Sequence, residues 1–148
     1  MTVEENKVIA ARFYEVYNKG NMDLVDELFS PDFVGRDSND PSPERRAPEG
    51  VKRVVEAFRN AFPDLEGTLE DQTAEDDKVV NRYTGRGTHR DEFLGVAPTG
   101  RGVELSGVTI FRLSGGKIVE GWDFYHGLGL LRQLGAMPAS GEKVESSH

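Results

Sequence analysis

The stretch of sequence that decides the fold is residues 120–135, EGWDFYHGLGLLRQLG. Its first half alternates polar and aromatic side chains as a β-strand does, and its second half is a short leucine-rich helix. One face of this strand would carry Glu120, Trp122, Phe124 and His126. Because a buried Glu and His destabilise a solid core unless they are paired, this face indicates a ligand cavity with an apolar wall and a few polar groups.

The composition restricts the classes of protein that the chain can represent. It has 148 residues, a net charge of −8 and no cysteine. The acidic balance argues against nucleic-acid binding through phosphate contacts, and no apolar run approaches the length of a membrane span. The N-terminus lacks the pattern of a secretion signal, and no disulfide or thiolate metal site is possible. We therefore expect a cytoplasmic protein without nucleic-acid or membrane partners.

The hydrophobic period changes once along the chain. Apolar residues recur at helical spacing in three segments before residue 63, and the first begins with the capping-box pattern Thr2 to Glu5. From residue 65 the period is two, which predicts four strands at residues 65–74, 79–90, 101–113 and 117–126. Helices followed by an antiparallel meander predict an α+β fold with the helices on one face of the sheet.

Two segments have no apolar period. Residues 35–48 are rich in Asp, Asn, Ser, Pro and Arg, and such a segment is usually either functional, here as a lid, or a solvated loop. Residues 139–148 are small and polar, which is typical of a disordered tail. We therefore predict a single domain over residues 1–138, followed by this tail.

Several short motifs stand in order along the chain. They are FRNAFPDL at 58–65, DKVVNRY at 77–83, GTH at 87–89, FLGVAPTG at 93–100 and GKIVEGW at 116–122. Together with the leucine-rich segment that ends at Gly135, they resemble the SnoaL-like polyketide cyclase family, within the superfamily named after nuclear transport factor 2. The resemblance extends over roughly residues 6–135.

This resemblance implies a fold, an activity and an assembly. The fold would be a cone-shaped barrel, in which N-terminal helices close a curved antiparallel sheet around a pocket. The activity would be an intramolecular aldol condensation of a hydrophobic, carbonyl-bearing, polyketide-like molecule, without metal or organic cofactor. Members of the family commonly form homodimers or tetramers through the outer sheet face. An acidic residue at the end of the last strand serves as general acid and base.

The chain departs from the family pattern at that acidic position, where the resemblance places His126. Histidine transfers protons readily near neutral pH, so we predict that His126 is catalytic. The alternative is a histidine that is merely hydrogen-bonded at a strand end. His89 could orient a substrate carbonyl or share a proton network, or it could cap the loop that follows it. Asp123 is not a simple substitute, because it faces away from His126 on the strand.

The predicted binding residues surround these two histidines. Trp122 and Phe124 would form flat walls for a planar ligand, and Glu120 shares their face. Arg82 would hold an enolate or carboxylate if its side of the second strand faces inward, and would be an ordinary solvated charge if it faces outward. Tyr14 would offer a hydroxyl at the pocket edge or belong to the core. Two histidines without a carboxylate at metal spacing favour the absence of a metal.

Other functions of the same fold stay open at this point. They include a related isomerase or dehydratase, a non-catalytic small-molecule-binding module and a protein-interaction domain that uses the outer sheet face. Hydrolysis of an epoxide would need a water held by an Asp–Arg–Asp arrangement, and the sequence does not reveal one.

Overall fold

A computed structural model describes residues 1–39 and 45–136 of the chain. The elements in chain order are α1 (Val3–Lys19), α2 (Asp23–Leu28), β1 (Phe29–Asp37), β2 (Arg45–Arg46), α3 (Ala47–Ala61), β3 (Glu66–Glu75), β4 (Lys78–Thr88), β5 (Gly102–Ser114), β6 (Lys117–Tyr125) and α4 (Gly127–Gln133). The predicted tail at 139–148 lies outside the described residues, and so does part of the irregular segment at 35–48. The predicted order, helices followed by a meander of four strands, is confirmed.

The sheet has six strands, in the order β2-β1-β6-β5-β4-β3. Strands β3 to β6 form the antiparallel meander, whereas β1 joins β6 in parallel and β2 pairs antiparallel with β1. The sheet is curved, but its two edge strands do not pair with each other. The α+β class and the closing N-terminal helices are therefore confirmed, and the sheet is not closed into a barrel.

The first helix begins and ends as its sequence dictates. The Thr2 hydroxyl accepts a hydrogen bond from the Glu5 backbone N–H at 3.1 Å, and the Glu5 carboxylate accepts one from the Thr2 N–H at 3.2 Å. This capping box satisfies two N–H groups that have no partner inside the helix. The helix ends at Gly20, whose φ of 69° lies in the left-handed region that favours glycine.

Two hydrophobic clusters hold the helices on the sheet. The larger one joins α1, α2 and α3 to the sheet through buried residues that include Val16, Leu28, Phe29, Val55 and Phe111. The smaller one joins the end of α3 to α4 and the loop after β4, through Ala61, Phe62, Phe93, Leu130 and Leu134. A cavity lies between the clusters, because residues that pack on each of them line it.

We expect the substitution Leu28→Ala to lower the free energy of unfolding by about 2–5 kcal/mol, because it empties a well-packed core position. Leu28 is 2% exposed, whereas Leu128 is 42% exposed and provides a matched control. Urea denaturation of Leu28→Ala, Leu128→Ala and the wild type measures both effects. Equal losses in the two variants would contradict the position of the core described here.

Candidate active site

The inner face of β6 carries Asp123. Its Oδ1 atom accepts hydrogen bonds from the Tyr83 hydroxyl at 2.9 Å and from Thr109 Oγ1 at 3.1 Å. Thr109 is the cross-strand partner of Asp123 on β5, and Tyr83 lies on β4. Two neighbouring strands therefore hold this carboxylate in one orientation beneath the helices.

Asp123 lies where the two lobes of the cavity meet. Both lobes are lined by Phe13, Tyr17, Thr109 and Asp123. The first lobe extends toward α3 and β1, and its walls include Phe29, Phe33, Arg45, Val51 and Val54. The second lobe extends between α1 and the meander, and its walls include Tyr14, Phe58, Leu65, Tyr83 and Leu105. Each lobe has an interior volume of about 60 Å³ and is partly open to solvent, and Asp123 borders both of them.

The surroundings of Asp123 favour its protonated form. Removal from water raises its pKa to about 6, although the hydrogen bonds from Tyr83 and Thr109 oppose this shift. The charge of Asp37 raises the pKa further, and the charge of Arg45 lowers it. A carboxyl group with a pKa near 6 can both accept and return a proton near neutral pH.

Three tyrosines surround this carboxylate. Burial, and after it the charge of Asp123, raises the pKa of Tyr14, Tyr17 and Tyr83 above the ordinary value, so their hydroxyls stay neutral hydrogen-bond donors. The Tyr14 hydroxyl is buried and makes no hydrogen bond of good geometry within the described residues, although the side chains of Asn81 and Thr109 lie near enough to lower its pKa. Tyr14 thus lies in the second lobe, and its role in substrate binding stays a prediction.

An ion pair that the sequence did not reveal lies beside Asp123. Arg45 Nη2 is 3.0 Å from Asp37 Oδ2, and the Asp37 side chain is only 2% exposed. Asp37 is the register partner of Asp123 in the parallel pair of β1 and β6. Both members of the ion pair come from the irregular segment, where no period signals a strand. The structure therefore places an Asp37–Arg45 ion pair beside Asp123, which the sequence analysis did not predict.

His126 does not lie in the cavity, and the expectation that it projects there is wrong. The side chain is exposed, and neither lobe includes it among its lining residues. Strand β6 ends at Tyr125, and His126 is the first residue before α4. The chain thus turns away from the sheet at this point, which leaves the imidazole in solvent.

The face of β6 that we expected to line the cavity is the outer face of the sheet. The Glu120 carboxylate pairs with Arg112 at 2.6 Å and with Arg36 at 3.5 Å. Trp122 shares this face by strand alternation but also lines the first lobe, as does Arg36, which lies 5.9 Å from the Trp122 ring centroid. Glu120 lines neither lobe, so its position does not support the predicted contact with substrate, whereas the role of Trp122 as a cavity wall stays a prediction that its position allows.

Phe124 and Arg82 also lie on the outer face. Phe124 is 48% exposed, Arg82 is exposed, and both flank Val108 in the sheet register. The expected inward orientation of Phe124 is wrong, and of the two alternatives left open for Arg82 the structure shows the outward one. Alternation divides a strand into two faces, but it does not say which face the helices cover.

His89 is fully buried, outside both lobes. Its Nδ1 atom accepts a hydrogen bond from the Thr99 backbone N–H at 3.2 Å and lies 3.0 Å from Thr99 Oγ1. Its ring packs against Phe62, with 5.6 Å between the ring centroids. These contacts fit the alternative role, a residue that holds the loop after β4. A catalytic role for His89 has no support in its position.

The described residues offer no evident metal centre. Within residues 1–39 and 45–136, no group of three or more His, Cys, Asp or Glu side chains is arranged to hold a metal ion. No helix in the same ranges combines the length and apolar character needed to cross a membrane.

The raised pKa of Asp123 predicts how stability depends on pH. The folded protein holds this proton up to about pH 6, whereas an unfolded chain loses it near pH 3.9, so the free energy of unfolding falls as pH rises between those values. A shift of about two units corresponds to at most ~3 kcal/mol, less where water enters the cavity. The substitution Asp123→Asn should remove this dependence. Urea denaturation of the wild type and of Asp123→Asn from about pH 4 to pH 7 tests this prediction. If the free energies of unfolding of the two proteins change in parallel with pH, the predicted contribution of Asp123 is disproved.

The fold and the buried carboxylate define a small α+β protein with a ligand cavity, and comparison with known proteins gives its family. The chain belongs to the SnoaL-like polyketide cyclase family, whose model matches residues 7–134. The resemblance and the enzyme class predicted from the sequence are thereby confirmed.

Individual relatives agree with this assignment. The chain is 30% identical over 129 residues to two aklanonic acid methyl ester cyclases, DnrD of Streptomyces peucetius and DauD of Streptomyces sp. (strain C5). These alignments cover 86% of this chain and 88% and 80% of the relatives. Among solved structures, TsrD from Streptomyces laurentii superposes with a TM-score of 0.83 at 29% identity, covering 93% of this chain and 99% of its own. IdmH from Streptomyces antibioticus superposes with a TM-score of 0.76 at 34% identity. This alignment covers 88% of this chain and 98% of the IdmH chain.

Proposed function

We propose that the protein is a cofactor-independent cyclase. It closes a ring by intramolecular aldol condensation within a hydrophobic, polyketide-like molecule, and Asp123 is its general acid and base. The observation that carries this proposal is the position of Asp123, a desolvated carboxyl group with a pKa of about 6 at the junction of two cavity lobes. Membership of a polyketide cyclase family supports it.

The proposed reaction uses a single proton. The Asp123 carboxylate removes a proton from a carbon flanked by two carbonyl groups, which leaves an enolate on the substrate. The enolate carbon attacks a second carbonyl of the same molecule, a carbon–carbon bond forms, and the attacked oxygen becomes an alkoxide. The protonated Asp123 then returns the proton to this alkoxide, so the enzyme regains its starting state. No oxidant, reductant or second substrate is consumed.

The neighbouring side chains have distinct parts in this scheme. Tyr83 and Thr109 fix the orientation of the carboxylate, since both bond to the same oxygen and leave Oδ2 to meet the substrate. Tyr14 donates a hydrogen bond to a substrate carbonyl, because its buried hydroxyl has no partner within the described residues. Such a donor gains strength as negative charge develops on the oxygen that it contacts.

We expect Asp123→Asn to lower kcat by about 10²–10⁴-fold while the affinity for product changes little, because the variant keeps the shape of the side chain but cannot accept the proton. Aklanonic acid methyl ester, the compound in the names of the two relatives, is the first substrate to test. Cyclisation is followed by chromatography, and product affinity by calorimetry.

The matched control for this experiment is His126→Ala. It removes the other candidate acid/base group, which lies outside the cavity, and should leave kcat within a few-fold of the wild type. A loss as large as that of Asp123→Asn would contradict the assignment of the proton carrier. Binding of ligands without turnover of any polyketide by the wild type would instead favour the non-catalytic binding module.

We propose in addition that the chain forms a homodimer or tetramer through the outer sheet face. Two cross-strand rows of partly exposed side chains support this: Val80, Ile110 and Trp122 are register neighbours, and Val108 lies beside Phe124. An apolar face of this kind is typical of an association surface. A cytoplasmic location and the absence of nucleic-acid and membrane partners stay predictions.

The substitution Ile110→Glu should convert the oligomer to a monomer, because it places a charge at the centre of the association surface. Val8 of α1 is 61% exposed and lies away from this face, so Val8→Glu should leave the assembly unchanged. Size-exclusion chromatography with light scattering gives the mass of each protein. A monomeric wild type would rule the assembly out.

A further inference from the structure

The Tyr83 side chain reaches Asp123 across an intervening strand. Tyr83 lies on β4 and Asp123 on β6, and β5 runs between these two strands. Neighbouring strands are about 4.8 Å apart, so roughly 10 Å separates the two backbones. The hydrogen bond of 2.9 Å from the Tyr83 hydroxyl to Asp123 Oδ1 therefore requires the phenol ring to lie over the inner face of β5.

The residue of β5 beneath this ring is Gly107. It is the register partner of Tyr83 on one side of β5 and of Tyr125 on the other side. A Cβ atom at Gly107 would lie 2.6 Å from Cζ of Tyr83, the ring carbon that bears the hydroxyl. Such an approach is closer than Cβ atoms make in folded proteins, so a side chain at this position would displace the phenol.

The backbone conformation does not explain why this residue is a glycine. Gly107 lies in the interior of β5, and its φ is outside the left-handed region, so other residues could adopt the same conformation. Glycine inside a strand weakens the strand and often marks the close approach of another group. Here the group is the Tyr83 ring. The space that the phenol needs is therefore the physical reason for a glycine at position 107.

The position of the phenol affects the proposed proton carrier. Burial raises the pKa of Asp123, and the hydrogen bond from Tyr83 opposes this rise because it stabilises the charged form. Thr109 donates to the same oxygen from the neighbouring strand. Without the bond from Tyr83, the carboxyl group would stay protonated to a higher pH and would lose one of its two restraints. Less of it would then be available as a correctly directed base near neutral pH.

We propose that Gly107 is a positioning residue for the proton transfer. It acts through Tyr83, because the absence of a side chain at position 107 lets the phenol cross β5 and hold Asp123 Oδ1. This inference rests on the proposed function for the role of Asp123 itself. Gly107 thus contributes to catalysis without a functional group of its own.

The test is the pKa of Asp123, measured by NMR titration of protein labelled with carbon-13 at the aspartate carboxyl groups. The variant Asp123→Asn assigns the signal by removing it. We expect Gly107→Ala to raise this pKa by about one unit, a tenfold change in the ionisation constant, because the displaced phenol no longer stabilises the carboxylate. Tyr83→Phe should raise the pKa by a similar amount, since it removes the hydroxyl directly.

The double variant distinguishes a positioning role from a general disturbance of the sheet. The Phe124 carbonyl oxygen also lies 2.9 Å from the Cβ position at Gly107, so alanine would press on β6 as well as on the phenol. In the Tyr83→Phe background no hydroxyl remains to be displaced, and Gly107→Ala should add little to the pKa of Asp123. Equal rises in the two backgrounds, or no rise in the wild-type background, would overturn the role of Gly107.

Gly102→Ala is the matched control. Gly102 lies at the start of the same strand, and a Cβ atom there would meet no other atom within 4 Å, so the pKa of Asp123 should not change. Neither glycine substitution adds or removes a charged or titratable group near Asp123. These groups are Asp37 of β1, Arg45 of β2, Tyr14 and Tyr17 of α1, Tyr83 of β4 and Tyr125 of β6.

A second variant covers the case in which Gly107→Ala does not fold. Tyr83→Leu combined with Gly107→Ala removes the ring that the new Cβ atom would meet, so we expect it to recover the fold. Circular dichroism and urea denaturation measure this recovery. A double variant that also fails to fold would overturn the proposal, because the space over Gly107 would then serve the strands and not Tyr83.

The titration needs no substrate, so it decides the role of Gly107 even if no turnover is found. An unchanged pKa in Gly107→Ala, together with loss of turnover in Asp123→Asn, would overturn the role of Gly107 and leave the cyclase proposal standing. The expected rise in pKa without turnover of any polyketide by the wild type would support the positioning of Asp123 by Gly107 and count against the cyclase proposal alone.

Discussion

The rest of the structure depends on the constraint that one carboxylate, Asp123, is kept largely out of water. A buried charge is tolerated only where hydrogen bonds or opposite charges compensate for lost hydration. Tyr83 and Thr109 supply the hydrogen bonds; Thr109 lies on β5, next to β6, and Tyr83 lies one strand further away on β4. These hydrogen bonds compensate only in part for the burial of Asp123. Its carboxyl group therefore has a pKa of about 6 and is not a permanent anion. Proton transfer near neutral pH follows from this balance.

The open sheet gives this carboxylate its two different surroundings. The strands of the meander build the second lobe, whereas the addition of β1 beside β6 builds the first. The parallel pair also brings Asp37 next to Asp123, and Arg45 with it. The cation and the proton carrier therefore come from segments that lie far apart in the chain.

The faces of β6 show where prediction from sequence failed. We took the face with Trp122 and His126 as inner because polar and aromatic groups share it, but aromatic residues suit an association surface equally well. A better signal lay on the other face, where Gly121 precedes Asp123 by two positions. A Cβ at Gly121 would lie 3.1 Å from the Phe111 ring. Glycine within a strand often marks close approach of packed neighbours, which identifies the crowded inner face.

The sequence by itself determined the helices, the four strands of the meander, the α+β class and the family, because hydrophobic period, caps and ordered motifs are all written along the chain. Tertiary structure decided the face of β6 that the helices cover, the open sheet edges and the cluster of Asp37, Arg45 and Asp123. Contacts such as that between Asn39 and Tyr125 join residues 86 positions apart. Local periodicity records only which residues share a face. The packing of distant segments decides whether that face is covered by helices or exposed to solvent.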